Sequence, residues 1–216
     1  MEQRRQFLKI LLGFFSLIAL TFSPFFSLIR RAYSEAKRVI LPKGTKVESL
    51  IGKVPKELDT RNLEVTPLED FQTMGLDDYE VDLDKWRLQV TGRVKMPLQL
   101  TYSELKTLPE VRRNVLLICP GFFALNGDWK GISVAELLKR AGADKGATNV
   151  KFSGPEVAYE KMEEFPIEEV LNEKVFLAYE VNGKTLPRKH GFPLRVVADD
   201  HYGGTWVKYV YKVTVD

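Results

Sequence analysis

Apolar and polar positions along this chain fall into four regimes. From Ile10 to Ile29 nearly every residue is apolar, a run interrupted by Pro24 and long enough to span a bilayer as a helix. Residues 37–66 scatter Lys, Gly and Pro without a period, which predicts an extended arm lying over the rest. From Trp86 to Gly92 apolar and polar residues alternate, the signature of a half-buried strand. Val115-Leu116-Leu117-Ile118 is a short unbroken apolar run ending at Cys119 and a Pro120-Gly121 turn, and it predicts a buried strand.

Helix signals stand between these strands. Thr101-Tyr102-Ser103-Glu104 is a capping box that opens a short helix ending before Pro109. Ser133-Val134-Ala135-Glu136 is a second box, whose helix runs to Ala141 with Gly142 as its stop. A third short helix is expected after Pro166, since proline suits a first helical turn. Further strands are predicted around Lys151-Phe152, over Val175–Val181, over Leu194–Ala198 and in a closing stretch from Val207 to Val215. The elements do not repeat as βαβ units, so the expected class is α+β with mixed or antiparallel sheets. The expected organisation is a leader over 1–36, the arm over 37–66 and one domain over 67–216.

Charge sharpens the reading of the leader. Arg4, Arg5, Lys9, Arg30 and Arg31 against Glu2 give residues 1–31 a formal +4, and with +3 for the whole chain the remainder stands at −1. A near-neutral body lacks the basic stripe of a nucleic-acid-binding domain, so no nucleic-acid partner is expected. Arg4-Arg5-Gln6-Phe7-Leu8-Lys9 before an apolar run resembles a twin-arginine export signal, read by the export machinery that carries folded proteins. Ser34-Glu35-Ala36 is the nearest small-x-small cleavage site, and the leader is left open as a cleaved signal or a retained membrane anchor. Either way the expected location is the periplasm or the exported face of the cytoplasmic membrane.

Candidate chemistry is sparse. One cysteine excludes an intrachain disulfide, a C-x-x-C-H haem site, a four-cysteine cluster and a cysteine-built zinc site. The only histidines are His190 and His201, so a bis-histidine haem would consume both. Cys119 on its own reads as a small core hydrophobe. Pro187 and Pro193 fix the backbone around Arg188, Lys189, His190 and Gly191, making a stiff loop that aims His190 and Arg195 at one anion.

Four stretches together resemble the molybdopterin-binding domain of the sulfite oxidase family, over roughly residues 67–216. They are His190-Gly191-Phe192-Pro193-Leu194-Arg195; Cys119-Pro120-Gly121 followed by Trp129-Lys130-Gly131 and Ile132–Gly142; Phe71 with Gln72 and Thr73; and Tyr202–Lys208, with Trp206, Val207 and Lys208 at its end. The resemblance implies a sulfite-oxidase-type α+β fold and molybdenum–molybdopterin as cofactor. Cys119 would supply a thiolate to the metal and serve as the catalytic position. His190, Arg195 and Lys208 would surround the cofactor phosphate as cations, Gln72, Thr73, Trp206 and Val207 would contact the cofactor, and Glu156 would fill an acidic position. It further implies two-electron oxo transfer on a small-molecule substrate, with electrons exchanged through a separate haem-containing electron-transfer protein, membrane-bound or soluble. The alternative is a non-catalytic cofactor-bearing or assembly subunit of an exported redox complex. One departure bears on substrate: Phe122-Phe123-Ala124 stands where sulfite oxidases carry asparagine and arginine, and Arg112 and Arg113 are expected in an exposed turn upstream.

Overall fold

In the computed structural model the described residues are 38–156 and 161–216, so the twin-arginine leader falls outside them. Two five-stranded sheets organise the compact unit Ile40–Asp216. Their elements, in chain order, are β1 (Leu88–Gly92), β2 (Leu98–Leu100), α1 (Tyr102–Leu105), β3 (Glu110–Cys119), β4 (Phe123–Ile132), α2 (Val134–Ala141) and β5 (Asn149–Ser153). They continue as β6 (Met162–Pro166), α3 (Ile167–Leu171), β7 (Val175–Val181), β8 (Lys184–Thr185), β9 (Arg195–Ala198) and β10 (Lys212–Val215). One sheet runs β8-β7-β4-β3, with β9 also antiparallel to β7. The other runs β2-β1-β10-β5-β6, and within it β10 lies parallel to β1 and antiparallel to β5. The class is therefore α+β with mixed sheets and short helices.

Strand β3 explains why its sequence reads as an unbroken apolar run. Successive side chains of a strand point to opposite faces. Val115 and Leu117 enter the main core, whereas Leu116 and Ile118 join a second cluster with Leu41, Leu50, Leu58, Leu63 and Ala124. The segment expected as a patternless arm thus carries a small core of its own, with 3-10 turns at Val47–Leu50 and Pro55–Glu57. Its leucines lack a regular period because those turns reset the phase.

Both capping residues act as expected, but not identically. Thr101 and Glu104 make the full reciprocal box on α1. Ser133 accepts from the Glu136 backbone N–H, while the Glu136 carboxylate turns outward to Arg140 at 2.9 Å instead of closing the box. Gly142 ends α2 at φ 63°. The closing strand is shorter than predicted: β10 begins at Lys212, and residues 207–211 form a turn that leads into it. That turn is where the chain leaves the sheet to build the site.

Candidate functional site

The parity of β3 places the cysteine. Residues 115, 117 and 119 share a face, so Cys119 ends the strand on the main-core side, and with Leu117 it lines a cavity of about 600 Å³. The wall is completed by Gln72, Thr73 and Met74, by Phe123, by Lys161, and by Arg195, Gly203, Trp206, Lys208 and Tyr209. Gly203 lets its loop press against β3: a Cβ there would lie 2.6 Å from Leu117 Cδ2. Cys119 Sγ sits 3.3 Å from Met74 Sδ. Burial raises its thiol pKa, and the charge of Lys161 partly opposes that rise.

Arg195 starts β9 and is buried, with 6% of its surface exposed. Its guanidinium lies between two indoles, 5.2 Å from the Trp129 ring and 5.5 Å from the Trp206 ring. Nη1 donates to the His190 carbonyl at 3.1 Å, and Nε has no hydrogen-bond partner. No carboxylate pairs with it among the described residues. Burial lowers its pKa to about 10, so it keeps its charge at neutral pH.

Lys208 reaches the same cavity from the turn after Trp206. Its Nζ donates to Thr73 Oγ1 at 2.9 Å and to the Lys189 carbonyl at 3.1 Å, and Thr73 Oγ1 donates to that carbonyl at 3.2 Å. Burial, then the charge of Arg195, lowers its pKa to about 8, which leaves it largely protonated at neutral pH. The approach of the two loops depends on Gly191. That residue has φ 106°, and a Cβ there would stand 2.9 Å from Lys208 Cβ.

His190 differs from its expected role as a cation. The imidazole is 1% exposed and packs edge-on to Phe71, and it stands behind the cavity wall, outside the lining residues. Burial, with Arg195, Lys189 and Lys208 close by, pushes its pKa down to about 3, so it is neutral and offers a hydrogen bond rather than charge. Its Nε2 has no partner. Val207 is buried as well; its carbonyl accepts from the Val196 N–H at 2.8 Å, and its side chain does not line the cavity. Glu156 is exposed and outside the lining.

Arg112 and Arg113 lie on β3 rather than in a turn. Arg112 pairs with Asp128 across to β4 and is 61% exposed, Arg113 pairs with Glu173 at 3.4 Å, and neither lines the cavity. The sequence reading missed Met74, Lys161, Tyr209 and the Trp129 ring behind Arg195. Trp129 stands out in the sequence only for its spacing to Gly131, Met74 and Lys161 sit in segments without periodicity, and Tyr209 sits in a stretch whose alternation predicts a strand.

Known proteins now bear on this geometry. Residues 75–216 match the oxidoreductase molybdopterin binding domain. The chain is 32% identical over 120 residues to the uncharacterized oxidoreductase YuiH of Bacillus subtilis, covering 55% of this chain and 59% of that protein. It is 30% identical over 145 residues to the protein-methionine-sulfoxide reductase catalytic subunit MsrP of Gluconobacter oxydans, covering 59% of this chain and 46% of that one. The matched region thus spans about half the length of these relatives. Among solved structures, the sulfane dehydrogenase SoxCD of Paracoccus pantotrophus shares the fold with a TM-score of 0.60 at 22% identity, over 86% of this chain and 52% of that one. With a buried, carboxylate-free arginine, a lysine and a cysteine on one cavity, and a family match over most of the domain, this chain belongs to the oxidoreductase molybdopterin binding domain family.

Proposed function

We propose that this chain is an exported molybdopterin-dependent oxidoreductase. It carries out two-electron oxo transfer on a small-molecule substrate and exchanges electrons with a separate haem protein. The observation that carries this reading is Arg195. A buried cation without a carboxylate is costly unless an anion is brought to it, and Arg195 opens onto a cavity with Lys208 beside it.

The donor set fits molybdopterin, which has a dithiolene, a ring system rich in donors and acceptors, and a phosphate. A volume of about 600 Å³ lies within the ordinary range for small-molecule sites. Arg195 Nε and Trp206 Nε1 are buried polar atoms without partners on residues that line the cavity, and a polar ligand would satisfy them. Cys119 supplies a soft sulfur donor suited to a redox metal. When bound, molybdopterin supplies a molybdenum centre able to exchange two electrons and an oxo group.

The chain's own residues divide the remaining work. Cys119 holds the metal as thiolate, ligation offsetting the burial that otherwise favours its thiol. Arg195 and Lys208 hold the phosphate, and His190 adds a neutral hydrogen bond. Gln72, Thr73, Trp206 and Val207 position the pterin, and Glu156 is assigned to the acidic position at the end of the β5 loop. Arg195, fixed between two indoles, loses little side-chain freedom when an anion arrives. Leu117, Phe123 and Met74 exclude water around Cys119.

Electron exchange is assigned to a second protein because one cysteine and two histidines leave no haem-attachment or cluster motif in this sequence. Export is assigned from the Arg4-Arg5 leader. Among the described residues no helix is long and apolar enough to cross a membrane.

A second reading, a non-catalytic cofactor-bearing or assembly subunit, is favoured by Phe123 where the family carries polar substrate contacts, and by Arg195 being the one arginine among the described residues that line the cavity. One preparation separates the two. Protein matured in a host that makes the cofactor should contain about one molybdenum per chain and fluorescent pterin. Cys119→Ser should abolish dye-coupled turnover and alter the molybdenum(V) paramagnetic signal. Stoichiometric metal with no turnover on any candidate would favour the subunit reading, and native protein without molybdenum would sink both.

A further inference from the structure

Tyr209 follows Lys208 in sequence, and none of the motifs that single out Lys208 extend to it. The side chain is 0% exposed and lines the cavity. Tyr79 holds the ring edge-on at 5.4 Å, and the Tyr79 hydroxyl in turn meets that of Tyr211 at 3.3 Å. The Tyr209 hydroxyl has no hydrogen-bond partner among the described residues. The polar backbone group that acts on its oxygen is the Tyr79 N–H, a donor, so the phenolic hydrogen is left without an acceptor.

The backbone carries a second cost at the same residue. Tyr209 has φ 54°, a left-handed conformation that a bulky side chain adopts only under constraint. Bonds on either side impose it: Tyr209 N–H donates to the Gly191 carbonyl at 3.3 Å and Val210 N–H to the Leu194 carbonyl at 2.8 Å. The turn therefore swings this ring onto the cavity wall. The Tyr79 N–H gives the oxygen a role as acceptor, but neither it nor packing accounts for the phenolic hydrogen, which has no acceptor among the described residues. Strain and an unmet donor coinciding on one cavity residue point to a ligand.

We propose that Tyr209 is a ligand-binding residue of this cavity, its hydroxyl donating a hydrogen bond to an acceptor atom of the bound pterin cofactor. The inference rests on the reading of the cavity as a molybdopterin site. Burial holds the phenol at a pKa of about 12, so the donor keeps its hydrogen across the neutral range.

The test compares wild type, Tyr209→Phe and Tyr79→Phe, each as the full chain. Cofactor-loaded proteins come from a host that makes molybdopterin, cofactor-free proteins from one that does not. Pterin release on extended dialysis is followed by fluorescence and metal content, and the cofactor-free proteins are melted. Tyr209→Phe should release pterin about tenfold faster, the cost of one good hydrogen bond. Without cofactor it should melt close to the wild-type temperature, since the unmet phenolic hydrogen it sheds offsets the acceptor it takes from the Tyr79 N–H. Tyr79→Phe should release pterin at the wild-type rate. Unchanged release from Tyr209→Phe, equal acceleration by Tyr79→Phe, or a cofactor-free Tyr209→Phe that melts several degrees lower would each overturn the assignment. Wild type that carries no pterin from a competent host would instead overturn the cavity reading itself, and the assignment with it.

Discussion

Trp129 and Trp206 flank the same guanidinium and lie 5.5 Å apart, yet they belong to different kinds of structure. Trp129 stands on β4, and its indole N–H donates to the Val115 carbonyl of β3 at 3.1 Å. Trp206 comes from the loop wall, and its indole N–H is buried with no partner. The contrast extends beyond the pair. On the loop side His190, Arg195 and Tyr209 each keep an unmet polar atom between positions 190 and 209, whereas elsewhere in the core such atoms occur singly, at Trp86 and Asn126. The sheet side keeps only scattered unmet atoms. The loop side is finished only with something in the cavity.

The largest effect should come from Arg195→Met, which removes the unpaired cation while keeping most of its volume. The cofactor-free protein should gain about 1–4 kcal/mol of stability, as when other buried charges are replaced by apolar residues. The loaded protein should lose its pterin. A destabilised cofactor-free variant would show that Arg195 serves the fold, and the division between the two sides would fail.

Trp129→Phe and Trp206→Phe remove the same ring atoms, so their difference isolates the N–H. In cofactor-free protein Trp129→Phe should cost about 1–3 kcal/mol more than Trp206→Phe by urea unfolding, because only the former breaks a buried hydrogen bond. Equal costs would erase the contrast.

Acid sharpens it differently. His190 has a folded pKa of about 3, below the ordinary histidine value, so between about pH 6.5 and 3 the unfolded chain binds the extra proton. Stability from this group is complete above the upper limit and is lost as pH falls through that window, with a limiting slope of about 1.4 kcal/mol per pH unit. His190→Leu should flatten the acid limb of a stability profile by that slope. An unchanged limb would place the acid sensitivity elsewhere.

The smallest effect serves as a control on a satisfied helix. Ser133→Ala removes a helix cap remote from the cavity and should cost about 1 kcal/mol with pterin retention unchanged.

What could be read from the sequence follows the same division. The caps at Thr101 and Ser133, the stop at Gly142 and the buried run before Cys119 are local signals, and each appears in the structure. Strand β4 was not legible, because Asn126, Gly127, Asp128 and Gly131 are poor strand formers that only a ten-residue pairing with β3 holds extended. The charged half of β3 was hidden likewise, since its Glu110 and Arg112 find partners across the ladder in Lys130 and Asp128. At the site, motif wording alone singled out His190, Arg195 and Lys208, and of these Arg195 and Lys208 line the cavity. Whether each is charged was not legible, because burial decides that, and burial made His190 neutral. Tyr209 left no trace because its placement comes from a left-handed turn that broke the strand predicted through it.

The position of β10 bears on when this protein can mature. It is a central strand of its sheet, bonded to β1 on one side and β5 on the other, yet it is synthesised after every other described strand. Until the ribosome has passed Val215, the hydrogen bonds of its neighbours along that seam stay open to water, and the 203–209 segment is not anchored from behind. A ligand that needs both walls of the cavity therefore meets its finished site only after that seam has zipped.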